Sequence, residues 1–186
     1  MKQYTPEQIK NIYAARRARI AAYLTENNIG AAVYIDSEEH REPAIPYLTG
    51  HNSDAIVIIF SDGFTYLIAW DEILAKKIGY YDKLVPYTRY KNKDTDAVRA
   101  ILNVGYTHGV NSKVELPPYL TYPQYLHFID TLNNYDCRCR EDGVHKFTAF
   151  HASFVPTFLP RTRPIMQIAN VTKAIMAAAS IASNRP

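Results

Sequence analysis

The chain has 186 residues, 47% of them hydrophobic and 21% charged, which suits one packed domain with a short appendage. The formal net charge of +3 is uneven: all 18 acidic residues lie at or before Asp142, so residues 1–142 carry −2 and residues 143–186 carry +5. Residues 1–142 offer no dense basic face for a nucleic acid. Two cysteines are too few for a disulfide framework, and no run of 18 apolar residues suggests a membrane span.

The first ten residues, MKQYTPEQIK, contain no apolar stretch of the signal-peptide kind. Free thiols at Cys137 and Cys139 in a reducing cytoplasm are therefore expected. Thr5-Pro6-Glu7-Gln8 is a capping-box start with proline in the first turn. The apolar spacing of Ile9, Ile12, Tyr13, Ile20 and Leu24 predicts a helix that Asn27-Asn28-Ile29-Gly30 stops. Arg16, Arg17 and Arg19 sit mostly off the apolar stripe and read as a solvated face.

Ala31–Ile35 predicts a buried strand and Asp36–Pro43 a polar, solvated loop. Ala55–Phe60 and Phe64–Ala69 predict two strands joined by Ser61-Asp62-Gly63, a hairpin turn signal. A helix begun by Trp70-Asp71-Glu72 follows through Ile78, with Asp71 favouring its amino end. Short strands are predicted at 83–87, 113–115 and 136–140, and helices at 94–102 and 123–132. Alternating strands and helices imply an α/β fold. The hairpin makes its sheet mixed rather than wholly parallel. The expected architecture is α/β, with about five or six strands flanked by helices on both faces.

Three patterns resemble the amino-terminal domain of the creatinase, prolidase and aminopeptidase P family of Xaa-Pro peptidases. The first is Arg16-Arg17-Ala18-Arg19-Ile20 running into Asn28-Ile29-Gly30-Ala31-Ala32-Val33. The second, and most specific, is Tyr47-Leu48-Thr49-Gly50-His51, similar to the family's Y-L-(T/S)-G-F element, with His51 departing from the usual aromatic. The third is Asp62-Gly63, then Tyr66-Leu67-Ile68, then Trp70-Asp71-Glu72. The resemblance spans about residues 8–140. It implies a ribonuclease H-like motif within the fold.

It also implies that catalysis belongs to a second, pita-bread domain, whose two divalent metal ions are held by two Asp, one His and two Glu. No carboxylate occurs after Asp142, so no such site is expected in residues 143–186. The expected division is a domain over 1–142. An atypical linker and apolar helix follow over 143–186, as a truncated or frame-shifted start of the missing catalytic domain. That helix is predicted at 165–182, with Ile165, Ile168, Val171, Ile175 and Met176 on one stripe.

No nucleophile elbow, phosphate loop or zinc-protease motif is present. Asp36, Glu38, Glu39, His40 and Glu42 read as loop rather than metal ligands. Cys137-Arg138-Cys139 lacks the partners of a zinc site. His51 is placed to donate a structural hydrogen bond to Asp54. No catalytic residue, metal or cofactor is expected in the chain itself. Tyr47, His51, Asp54, Trp70 and Asp71 are the residues expected at a substrate-entrance rim or subunit interface. The resemblance implies a homodimer and a catalytic-domain partner, with no nucleic acid and no membrane. The alternative is a stand-alone binding module of the same fold, with 165–182 as its partner surface.

Overall fold

A computed structural model describes residues 4–90, 93–105 and 111–153. The predicted helix at 165–182 lies outside them. The elements are α1 (Pro6–Glu26), β1 (Ala31–Asp36), α2 (Ala44–Thr49), β2 (Ala55–Phe60), β3 (Thr65–Ala69), α3 (Glu72–Ile78) and β4 (Lys83–Pro86). A short 3-10 turn (Tyr87–Tyr90) leads to α4 (Asp94–Gly105), β5 (Lys113–Leu116), α5 (Tyr122–Thr131), β6 (Asp136–Cys139) and α6 (Val144–Ser153).

The strands form one six-stranded mixed sheet in the order β4-β3-β2-β1-β5-β6. β1 and β3 both pair antiparallel with β2, while β1–β5, β3–β4 and β5–β6 are parallel. β2 therefore runs against the other five. Every residue of β1, β2 and β3 is buried. Both faces of these strands are covered, which is why they read as unbroken apolar runs instead of alternating ones.

On one face Val33, Ile35, Ile56, Ile58, Phe60, Tyr66 and Ile68 pack against Val98, Ile101 and Leu102 of α4 and Phe128 of α5. Side chains alternate across a strand, so Ala32, Tyr34, Val57, Ile59 and Leu67 point to the other face. There α1, α2 and α6 lie against one another. Thr5 and Gln8 form the expected capping box, with Gln8 N–H donating to Thr5 Oγ1 at 3.2 Å and Thr5 N–H to Gln8 Oε1 at 2.8 Å. Asp71 caps α3, its Oδ1 accepting from Leu74 N–H at 2.8 Å.

Two expectations are corrected. Arg16 and Arg17 are buried. Arg16 donates to the Tyr47 carbonyl at 2.8 Å and Arg17 to the Tyr80 carbonyl at 2.9 Å. These charges face backbone oxygens at the ends of other elements, a pairing that helical spacing does not reveal. The 36–43 loop is also not solvated throughout. Asp36 and Glu42 are buried, and Asp36 Oδ1 accepts from Glu42 N–H at 3.1 Å. Val144–Ser153 form α6.

Candidate functional site

The carboxyl ends of β1, β3 and β4 come together at one end of the sheet. Ligand crevices of open α/β sheets form outside such strand ends. Here Ile35, Asp36, Ser37, Asp54, Ala55, Ile56, Trp70, Tyr87 and Asp94 line a cleft of about 160 Å³. Asp36 closes β1, Trp70 follows β3, Tyr87 follows β4, and Asp94 opens α4.

Trp70 is 54% exposed, and its ring sits 5.2 Å from that of Tyr87. The Tyr87 hydroxyl donates to Asp94. Burial first, and the Asp94 carboxylate second, hold the Tyr87 phenol above its ordinary pKa. Two of the lining carboxylates meet Arg41, which donates to Asp54 at 2.7 Å and reaches Asp36 at 3.5 Å. The lining carries three carboxylates, Asp36, Asp54 and Asp94, with the hydroxyls of Ser37 and Tyr87, and no histidine, lysine or cysteine. The cleft is equipped to hold or exclude a group by shape, stacking and hydrogen bonding.

Two of the five rim candidates, Asp54 and Trp70, meet at this cleft. The other three have structural surroundings. Tyr47 is buried, its ring 4.6 Å beneath the Arg16 guanidinium, which also lies 5.0 Å from the Tyr13 ring. Asp71 is the α3 cap. His51 is 0% exposed, and neither ring nitrogen has a hydrogen-bond partner among the described residues. The Asp54 carboxylate is turned to Arg41, so it is the Asp54 backbone, not its side chain, that faces His51. Burial lowers the His51 pKa, against the opposing pull of the Asp71 and Asp36 charges and of the Asp54 backbone.

Sequence reasoning missed Asp36, Tyr87 and Asp94 as cleft residues. A polar residue ending an apolar strand was the available signal for Asp36. Asp94 looked only like a helix start. Two of the resembling patterns turn out to be one interaction: Arg16 of the first reads the backbone of Tyr47 in the second. Gly50, with φ 75°, ends α2 in the left-handed conformation that glycine tolerates.

Among the described residues, no group of three or more His, Cys, Asp or Glu is placed to hold a metal ion. The free Cys137 and Cys139 lie on β6. Burial pushes the Cys137 thiol up to about 12, which leaves it a poor nucleophile at neutral pH. No helix among the described residues is long and apolar enough to cross a membrane.

The sheet order and helix placement define a mixed α/β domain of the type found at the amino terminus of Xaa-Pro peptidases. Solved structures make the likeness specific. The chain is similar to an Xaa-Pro aminopeptidase from Streptococcus pyogenes (16% identity, TM-score 0.57, 74% of this chain and 98% of that one). It is similar to the N-terminal domain of an Xaa-Pro dipeptidase from Lactobacillus brevis (14%, 0.53, 73% and 98%). It is also similar to the N-terminal domain of the cytoplasmic peptidase PepQ from Mycobacterium tuberculosis H37Rv (16%, 0.51, 72% and 98%). No sequence profile of a known family matches the chain, and no curated protein matches it by sequence. The fold is that of the creatinase/prolidase N-terminal domain.

Proposed function

We propose that this chain is a non-catalytic N-terminal domain of an Xaa-Pro peptidase-type metallopeptidase, working as a cytoplasmic homodimer beside a catalytic domain. Its task is to wall the substrate entrance and fix subunit contacts. The observation that carries this is the fold: the chain covers 98% of three solved chains named for such peptidases, two of them N-terminal domains. The half-exposed Trp70 over a cleft at the sheet end supports the wall. An indole at a rim supplies a rigid surface that limits what passes, with its N–H free to hydrogen-bond. The two metal ions of the family would lie in the catalytic partner.

The test uses the purified full chain. Incubation with Xaa-Pro dipeptides and manganese gives no cleavage on this reading, and light scattering gives twice the 21.2 kDa chain mass. Metal-dependent turnover by the chain, abolished by a chelator, overturns the non-catalytic role. A strictly monomeric mass overturns the dimer.

A further inference from the structure

The helix that completes the helical face, α6, docks through buried titratable groups instead of apolar contacts alone. Its first N–H, on Val144, donates to Glu115 Oε1 of β5 at 2.6 Å. One turn on, Thr148 gives its hydroxyl proton to the Val144 carbonyl at 2.7 Å. The Tyr34 hydroxyl of β1, 2.8 Å away, therefore donates to Thr148 Oγ1. Phe147 stacks on Tyr23 of α1 at 4.5 Å.

Between these contacts lies His145, 6% exposed, its ring centre 4.7 Å from that of Tyr34. Neither ring nitrogen has a hydrogen-bond partner among the described residues. The nearest carboxylate oxygen, Glu42 Oε2, is 4.0 Å from Nδ1, too far for a hydrogen bond. A neutral imidazole is tolerated in such a place. An imidazolium is disfavoured: the Glu115 backbone and the Glu42 carboxylate draw it, but burial of the charge outweighs that pull.

We propose that α6 is an acid-released latch, in which protonation of His145 undocks the helix while the sheet stays folded. A ten-residue helix freed of its tertiary contacts is marginal in water, so undocking also frays it.

The direction follows from linkage. Burial lowers the docked imidazole to about 3, against an ordinary value of 6.5. The released ring takes a proton that the docked ring refuses. Docking is therefore complete above pH 6.5 and weakens about tenfold per pH unit below it, until the docked ring itself titrates. The other groups around the helix are Tyr34 on β1, Tyr23 and Arg19 on α1, Glu42 and Asp36 before α2, Glu115 on β5, and Arg140 and Asp142 before α6. Burial raises Glu42 and Glu115, so their protonation relieves a penalty and opposes release. On α6 itself lie Lys146 and a second imidazole, the half-buried His151, which accepts from Arg19 at 3.3 Å. His145 is the fully enclosed imidazole of the interface, and His145→Phe separates its part of the response between pH 7.5 and 5.5 from that of the other groups. The latch does not depend on the entrance-wall reading, and either stands if the other fails.

Hydrogen exchange of the full chain, corrected for the intrinsic rate, tests it. Between pH 7.5 and 5.5 the opening of residues 144–153 should rise about tenfold, while β2 keeps its protection. His145→Phe keeps the ring against Tyr34 and cannot be protonated, so its response should be flat. The proposal is overturned if α6 does not respond, if β2 opens in step, or if His145→Phe responds like the wild type. Should that variant not fold, the ring NMR signals of His145 decide. A neutral ring at pH 5.5 in the protected helix supports the latch. A titration midpoint near 6.5 with α6 still protected overturns it.

Discussion

Replacing Gly143 with alanine would set a methyl carbon 1.6 Å from Glu115 Oε1, well inside any permitted contact. The carboxylate is 1% exposed and cannot swing into solvent without moving β5 or α6. It must give up the 2.6 Å bond from Val144 N–H. A hydrogen bond to a charged acceptor is worth about 1.5–3 kcal/mol, and a buried carboxylate deprived of its donor adds to the loss. Alanine also stiffens the unfolded chain, returning about 0.4–1 kcal/mol. The net expectation is a loss of about 2–3 kcal/mol. For a domain of this size that lowers the melting temperature by roughly 5–10 °C. Urea denaturation followed by circular dichroism gives the free energy directly. A double-mutant cycle isolates the cause, because Gly143→Ala should cost little once Glu115 is alanine. A Gly143→Ala protein within about 0.5 kcal/mol of wild type, or an equal cost in the Glu115→Ala background, would refute the reasoning.

Arg16→Ala removes a buried guanidinium held between Tyr13 and Tyr47 and leaves the Tyr47 carbonyl unpaired, so about 2–4 kcal/mol should be lost in the same denaturation assay. Arg16→Lys should fall between, since an ammonium cannot reproduce the planar stacking. Gly50→Ala forces a left-handed φ of 75° on alanine, with its Cβ 3.0 Å from the Tyr13 hydroxyl, and should cost about 1–2 kcal/mol, read by thermal melting.

The strand and helix pattern was legible along the chain because it rests on local rules. The capping box at Thr5, the Asp62-Gly63 turn and the apolar runs at 31–35 and 55–60 each announce themselves within a few residues. The resemblance carried the fold further, since Tyr47-Leu48-Thr49-Gly50 holds its shape for a reason local to α2: glycine alone takes the turn cheaply. The site was less legible. Of the five residues named from the sequence, Trp70 and Asp54 line the cleft, while Tyr47 and His51 are buried and Asp71 caps α3.

Composition and periodicity thus determined that the chain builds a mixed α/β sheet with helices on both faces. Only the tertiary structure decided which charges are buried. Arg16 meets Tyr47 across 31 residues, and His145 lies against Tyr34, on a different element far away in sequence. The physical reason is that a side chain's solvation is set by whatever packs over it. That neighbour comes from another element, at a sequence distance no local pattern encodes.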